Sequence, residues 1–132
     1  MIARFDHIVL TTADIDACVR FYTRVLGMQL ESFTPASGGA ARKALKFGQN
    51  KINLHEKGKE FEPKAHLPVP GALDLCFIAS RPLDEVISQL QTHNVTIVEG
   101  PVARTGAQGR IRSVYVRDPD LNLIEISEYV QE

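Results

Sequence analysis

Tryptophan is missing from this 132-residue chain, cysteine occurs only twice, and neither sign of charge is in excess. Fifteen Lys and Arg against sixteen Asp and Glu leave a formal charge of −1. That balance gives no basic face for a phosphate backbone, so nucleic acid is not an expected partner. No apolar run approaches the roughly 18 residues that a membrane span needs, so no membrane association is expected. The first residues lead straight into a strand pattern, with no apolar stretch of the secretory type. Cys18 and Cys76 lie far apart and lack metal-type spacing. Reduced thiols and a cytoplasmic location are therefore expected. The length suits one domain, or two small halves sharing a core.

What the sequence does contain is a pattern stated twice. Phe5–Thr11 alternates as a strand, with Ile8 and Leu10 on one face and Phe5, His7 and Val9 on the other. Asp14 is placed to cap a helix whose stripe is Ile15, Val19, Tyr22 and Leu26, closed by Gly27. Strands are predicted over Met28–Thr34, Arg42–Phe47 and Lys51–Glu56, with glycine-containing turns between them. A polar connector, Lys57–Gly71, carries Pro63, Pro68 and Pro70. Then Leu73–Ala79 reads as a strand and Ser80 as a cap. A second helix follows, striped by Leu83, Val86, Ile87 and Leu90 and ended by Asn94. Strands over Val95–Val102, Arg110–Val116 and Leu121–Tyr129 complete the copy, with Thr105–Gly109 as a tip. The caps Asp14 and Ser80 are 66 residues apart, and the stops Gly27 and Asn94 are 67 apart.

This is an α+β chain of two βαβββ modules, 1–60 and 72–132, in one domain. The expected architecture is an open, curved eight-stranded trough. A module with an incomplete apolar face has to pack on its copy or pair across a homodimer.

The duplication brings chemistry with it. Offset by 67, His7 falls on Asp74, whose neighbours Leu73, Leu75 and Phe77 take the apolar face. Aspartate is depleted in strand interiors, so Asp74 is the hardest of these residues to explain structurally. In the final strand, Glu125 sits between Ile124 and Ile126 and faces away from both, after an Asp118-Pro119-Asp120 turn. In Lys51–Glu56, Asn53 and His55 face away from Ile52 and Leu54. If the sheets form a trough, His7, Asp74, Glu125 and either Asn53 or His55 converge on its floor. Imidazole and carboxylate donors suit Zn, Ni, Mn, Fe or Co. Cys76 shares the Asp74 face but reads as a small buried residue. Arg104, Arg110 and Arg112 flank the tip, as a solvated rim or as an anion-binding group. His66 and His93 lie in the connector and at a helix end and read as ordinary surface histidines.

Three stretches carry a resemblance: Asp6-His7-Ile8-Val9-Leu10, Phe21-Tyr22-Thr23-Arg24-Val25-Leu26-Gly27-Met28, and Asp118-Pro119-Asp120-Leu121-Asn122-Leu123-Ile124-Glu125. Over nearly its whole length the chain resembles the vicinal-oxygen-chelate superfamily, which includes glyoxalase I, fosfomycin-resistance proteins, bleomycin-binding proteins and extradiol dioxygenases. By this resemblance His7 is the first-strand metal ligand and Glu125 the last-strand carboxylate, a ligand and candidate catalytic base. Asp74 falls where relatives carry His or Gln, and Asn53 where glyoxalase I carries Glu, with His55 its same-face neighbour. The resemblance implies a small-molecule substrate with vicinal oxygens and a divalent metal. The leading expectation is a glyoxalase-type lyase or isomerase. The rivals are a thiol transferase, a ring-cleaving dioxygenase and a metal-free binding module. Asn53, Cys76, Arg104, Arg110 and Arg112 are the candidate substrate contacts.

Overall fold

The computed structural model describes residues 1–131 and divides them into two compact units, Met1–Ala72 and Leu73 onward. The stretch expected to connect the halves belongs with the first unit. Among the described residues, no helix is long and apolar enough to cross a membrane.

The first unit runs β1 (His7–Thr12), α1 (Ile15–Arg20), a π-helical turn (Phe21–Val25), β2 (Gln29–Phe33), β3 (Arg42–Phe47) and β4 (Asn50–Glu56). Its strands lie in the order β1-β4-β3-β2, with β1 parallel to β4 and the remaining pairs antiparallel. The buried row is Leu10, Ile52, Leu54 and Leu45, the apolar parity expected from the sequence.

Asp14 caps α1 as predicted, its carboxylate accepting from the Ala17 amide at 3.1 Å. The predicted stripe holds at Tyr22 and is corrected at its other positions. Ile15, Val19 and Leu26 are only half-buried, whereas Cys18, Phe21 and Tyr22 are buried. The buried face therefore runs through Cys18, Phe21 and Tyr22, and the helix ends in a wider turn: the Leu26 amide donates back five residues to Phe21 (3.3 Å) and that of Met28 six to Tyr22 (2.9 Å). One residue of extra winding moves Leu26 off the face that a 3.6-residue period would give it. Gly27 closes the helix at φ 77°, as expected.

The second unit repeats the order as β5 (Asp74–Ile78), α2 (Leu83–Thr92), β6 (Glu99–Gly106), β7 (Gly109–Arg117) and β8 (Leu123–Tyr129). Its sheet order, β5-β8-β7-β6, is that of the first, again with one parallel pair. Helix α2 lies against β7 and β8 through Leu83 and Leu90.

Two local expectations change here. Ser80 does not cap α2; the Leu83 amide donates to the Glu128 carboxylate (2.7 Å), so β8 supplies the cap that the chain before the helix does not. Strand β6 begins four residues later than predicted and runs to Gly106, leaving a two-residue turn before β7. The turn before β8 is held by Asp118. Its Oδ1 accepts from the amides of Asp120 (2.9 Å) and Asn122 (3.0 Å), and its Oδ2 from Asn122 Nδ2 (2.8 Å). Asn122 Oδ1 in turn accepts from the Leu73 amide at 2.9 Å, tying the start of β8 to the start of β5.

Candidate functional site

In the second unit the pleat and register decide which side chains share a face. Cys76 of β5 is opposite Glu125 of β8, and Glu125 is opposite Tyr115 of β7. One step along, Ile78, Ser127 and Ser113 are opposite one another. Glu125 is half-buried, while Ser113 and Ser127 are fully buried. Ser113 Oγ donates to Glu125 Oε2 at 2.7 Å, and Ser127 Oγ lies 2.6 Å from Ser113 Oγ and 3.4 Å from the same carboxylate oxygen. Cys76 Sγ is 3.4 Å from Ser127 Oγ. These groups form a continuous polar line, Cys76–Ser127–Ser113–Glu125, across the sheet.

Tyr115 adds a second approach to the same carboxylate. Its hydroxyl accepts from Arg104 Nε (3.0 Å), and Arg104 also faces Glu99 at 3.5 Å. Burial pushes the Tyr115 phenol up; Arg104 opposes this, while the charge of Glu125 and a hydrogen bond to it help keep the proton in place. Burial likewise raises the Cys76 thiol, Ser127 opposing and the charges of Glu125 and Asp74 adding to the effect. Cys76 is therefore a protonated thiol. It is also exposed as a residue, not buried as expected.

Asp74 opens β5 instead of sitting in its middle, and it is exposed. It shares the Glu125 face, diagonally across one strand. Arg104 is on this face through Tyr115. Arg112 is not: it pairs with Asp84 (3.3 Å) and Glu128 (3.6 Å) on the helix side, and Arg110 shares its parity. Sequence reasoning missed Ser113 and Tyr115. Their alternation with Val114 and Val116 in β7 was the available signal.

In the first unit, His7 is opposite Lys51 and His55 is opposite Thr11. The histidines are thus four residues apart along parallel strands, about 13 Å at the usual rise per residue, with Asn53 between them. His7 is substantially exposed, and its Nδ1 lies 2.8 Å from Asp6 Oδ2; that bond holds the Asp6 carboxyl low. His55 is 6% exposed and packs edge-on to Phe61 at 5.5 Å between ring centres. Burial lowers its pKa first, the Arg42 guanidinium lowers it further, and Glu60 opposes both. Arg42 and Phe61 are the other residues that sequence reasoning missed. Within either unit, no three His, Cys, Asp or Glu side chains among the described residues are gathered closely enough to hold a metal ion.

Comparison with known proteins agrees with this architecture. The chain is 55% identical over 130 residues to the virulence protein STM3117 of Salmonella typhimurium, covering 98% of this chain and 87% of that protein. The crystal structure of STM3117 superposes with a TM-score of 0.89, covering 98% of this chain and 99% of the other. The glyoxalase domain-containing protein RDO1 of Mycosarcoma maydis is 56% identical over 124 residues, 94% of this chain and 67% of that protein. At the level of fold alone, a lactoylglutathione lyase from Agrobacterium tumefaciens matches with a TM-score of 0.69 at 23% identity, over 97% and 95% of the two chains. The family model for the Glyoxalase/Bleomycin resistance protein/Dioxygenase superfamily matches residues 4–126, and the chain belongs to that superfamily.

Proposed function

We propose that this chain is a metal-dependent lyase or isomerase of the glyoxalase type, acting on a small substrate with two neighbouring oxygens. The observation that carries the reading is the Glu125 carboxylate, held on a sheet face by buried serine hydroxyls. A carboxylate fixed in this way has its rotamer set before substrate arrives, which a proton-transferring base needs. Glu125 would take the proton from the carbon beside a carbonyl and return it to the adjacent carbon. Ser113 and Ser127 orient the carboxylate, and Tyr115 with Arg104 flanks it. By the superfamily resemblance His7, Asp74 and Glu125 would each be a donor to a divalent metal, nitrogen and carboxylate ligands that suit Zn, Ni, Mn, Fe or Co; the described residues themselves gather no three such side chains. Such an ion would polarise the substrate's paired oxygens as a Lewis acid.

Metal analysis of protein purified without chelator tests this directly. The expected result is about one divalent ion per chain, lost in His7→Ala. Wild-type protein that takes up none of the five metals overturns the reading. A second reading, a metal-free small-molecule binder, is favoured by Asn53, an amide where glyoxalase I has a carboxylate. The chain is also proposed to work as a homodimer. Ile2, Phe5, Leu30 and Val98 remain exposed and support this. A monomer in sedimentation at micromolar concentration overturns it.

A further inference from the structure

Three buried side-chain atoms of the first unit have no hydrogen-bond partner among the described residues: Arg42 Nε, Asn53 Oδ1 and His55 Nδ1. They are neighbours. Ala44 is opposite Asn53, so Arg42, two residues before Ala44, and His55, two after Asn53, fall on the same face of the β3–β4 pair. A buried polar group left unsatisfied costs on the order of 1–3 kcal/mol, and folded proteins rarely leave one so. Three together on adjacent strands point to a group that the chain itself does not supply.

The chemistry of that group follows from the atoms. The Arg42 guanidinium lies over the Phe61 ring, 4.0 Å from its centre, and pairs with no carboxylate among the described residues. Its unused Nε–H, together with one Nη–H, is the side-on fork that matches the two oxygens of a carboxylate. His55 Nδ1 donates in one tautomer, and the Asn53 amide offers a donor when turned over. Phe61 covers both side chains from a stretch without helix or strand, where an apolar ligand body can take up part of its contact. We propose that Arg42, Asn53 and His55, covered by Phe61, form a binding site for the carboxylate of a small organic acid. This assigns His55 to anion binding and not to a metal, whose positive charge the neighbouring guanidinium would repel.

The site goes beyond the metal reading, and its test uses chelator-treated protein so that the two fail separately. Phenylacetate is titrated into 15N-labelled full-length chain, with neutral phenylacetamide as control. Phenylacetate should bind and move the Arg42 Nε–H resonance downfield, and phenylacetamide should bind at least about tenfold more weakly, as expected for loss of a charge-assisted bond. Arg42→Lys, which keeps the charge but loses the fork, should weaken binding about tenfold. Arg42→Gln should abolish it while the remaining amide spectrum stays folded. Equal binding of acid and amide, an unmoved Nε–H resonance, or unchanged affinity in Arg42→Lys would each overturn the proposal. If Arg42→Gln does not fold, Arg42→Lys and the acid–amide comparison decide it.

Discussion

Replacing Ser113 by alanine removes one oxygen from the centre of the polar line in the second unit. Ser113 is fully buried, and its hydroxyl bonds both the Glu125 carboxylate (2.7 Å) and Ser127 (2.6 Å). A hydrogen bond to a charged group contributes about 1.5–3 kcal/mol. Two effects lower that here. Glu125 is only half-buried, so water can approach it, and Ser127 Oγ, already 3.4 Å from the same oxygen, can turn towards it. A loss of about 1–2 kcal/mol remains. It should appear as a lower urea midpoint with an unchanged denaturant slope, because no surface is newly exposed. Ser127→Ala should cost a similar amount, and the double variant less than the sum by about 1 kcal/mol, since each hydroxyl partly serves the other. A Ser113→Ala protein within about 0.3 kcal/mol of wild type, or strictly additive singles, would refute the idea that these hydroxyls hold Glu125 as a unit.

Gly100→Ala should destabilise the second unit by at least about 2 kcal/mol. A Cβ there would lie 2.4 Å from the Ser113 carbonyl oxygen at φ 109°, and thermal melting should show the loss. Stability should fall as pH drops below about 6.5, because the unfolded chain then protonates His55 while the folded chain, with its depressed pKa, does not. That contribution is fully present above the unfolded pKa and is lost down to the folded one, so His55→Gln should show a shallower acid loss in urea titrations at pH 7.5 and 5.5. Cys76, although exposed, should alkylate with iodoacetamide more slowly than free cysteine at pH 7.5 and speed up only in strong alkali, because its thiol is raised. Alkylation at the free-cysteine rate would contradict the placement of Sγ against Ser127.

The duplicated βαβββ order was legible because it rests on period and punctuation: Asp14, Gly27 and Asn94 all perform the roles their types suggest. What failed was whatever depended on a distant partner. Ser80 looked like a cap until Glu128, 45 residues beyond Leu83, supplied one. The end of the α1 stripe, at Leu26, failed because a π turn changes the period that the stripe assumes. The face of Glu125 followed from simple alternation, but its environment did not. Ser113 and Tyr115 become its neighbours only through the β7–β8 register, which no local pattern fixes. Arg42 and Phe61 were invisible for the same reason, one on a neighbouring strand and the other in a stretch that reads as polar linker.

The parallel pairing in each unit has a consequence for the order of folding. The antiparallel neighbours β2-β3-β4 and β6-β7-β8 are joined by short connections and meet early. Strands β1 and β5 join β4 and β8 only across separations such as His7 to Lys51 and Asp74 to Leu123, 44 and 49 residues along the chain. Closing loops of that length costs entropy before any contact repays it, so these two strands are expected to join last and to part first. They are also the strands that carry His7 and Asp74. Until β5 docks, Glu125 lies on an open edge without Cys76 beside it, so the last step of assembly also completes the polar face.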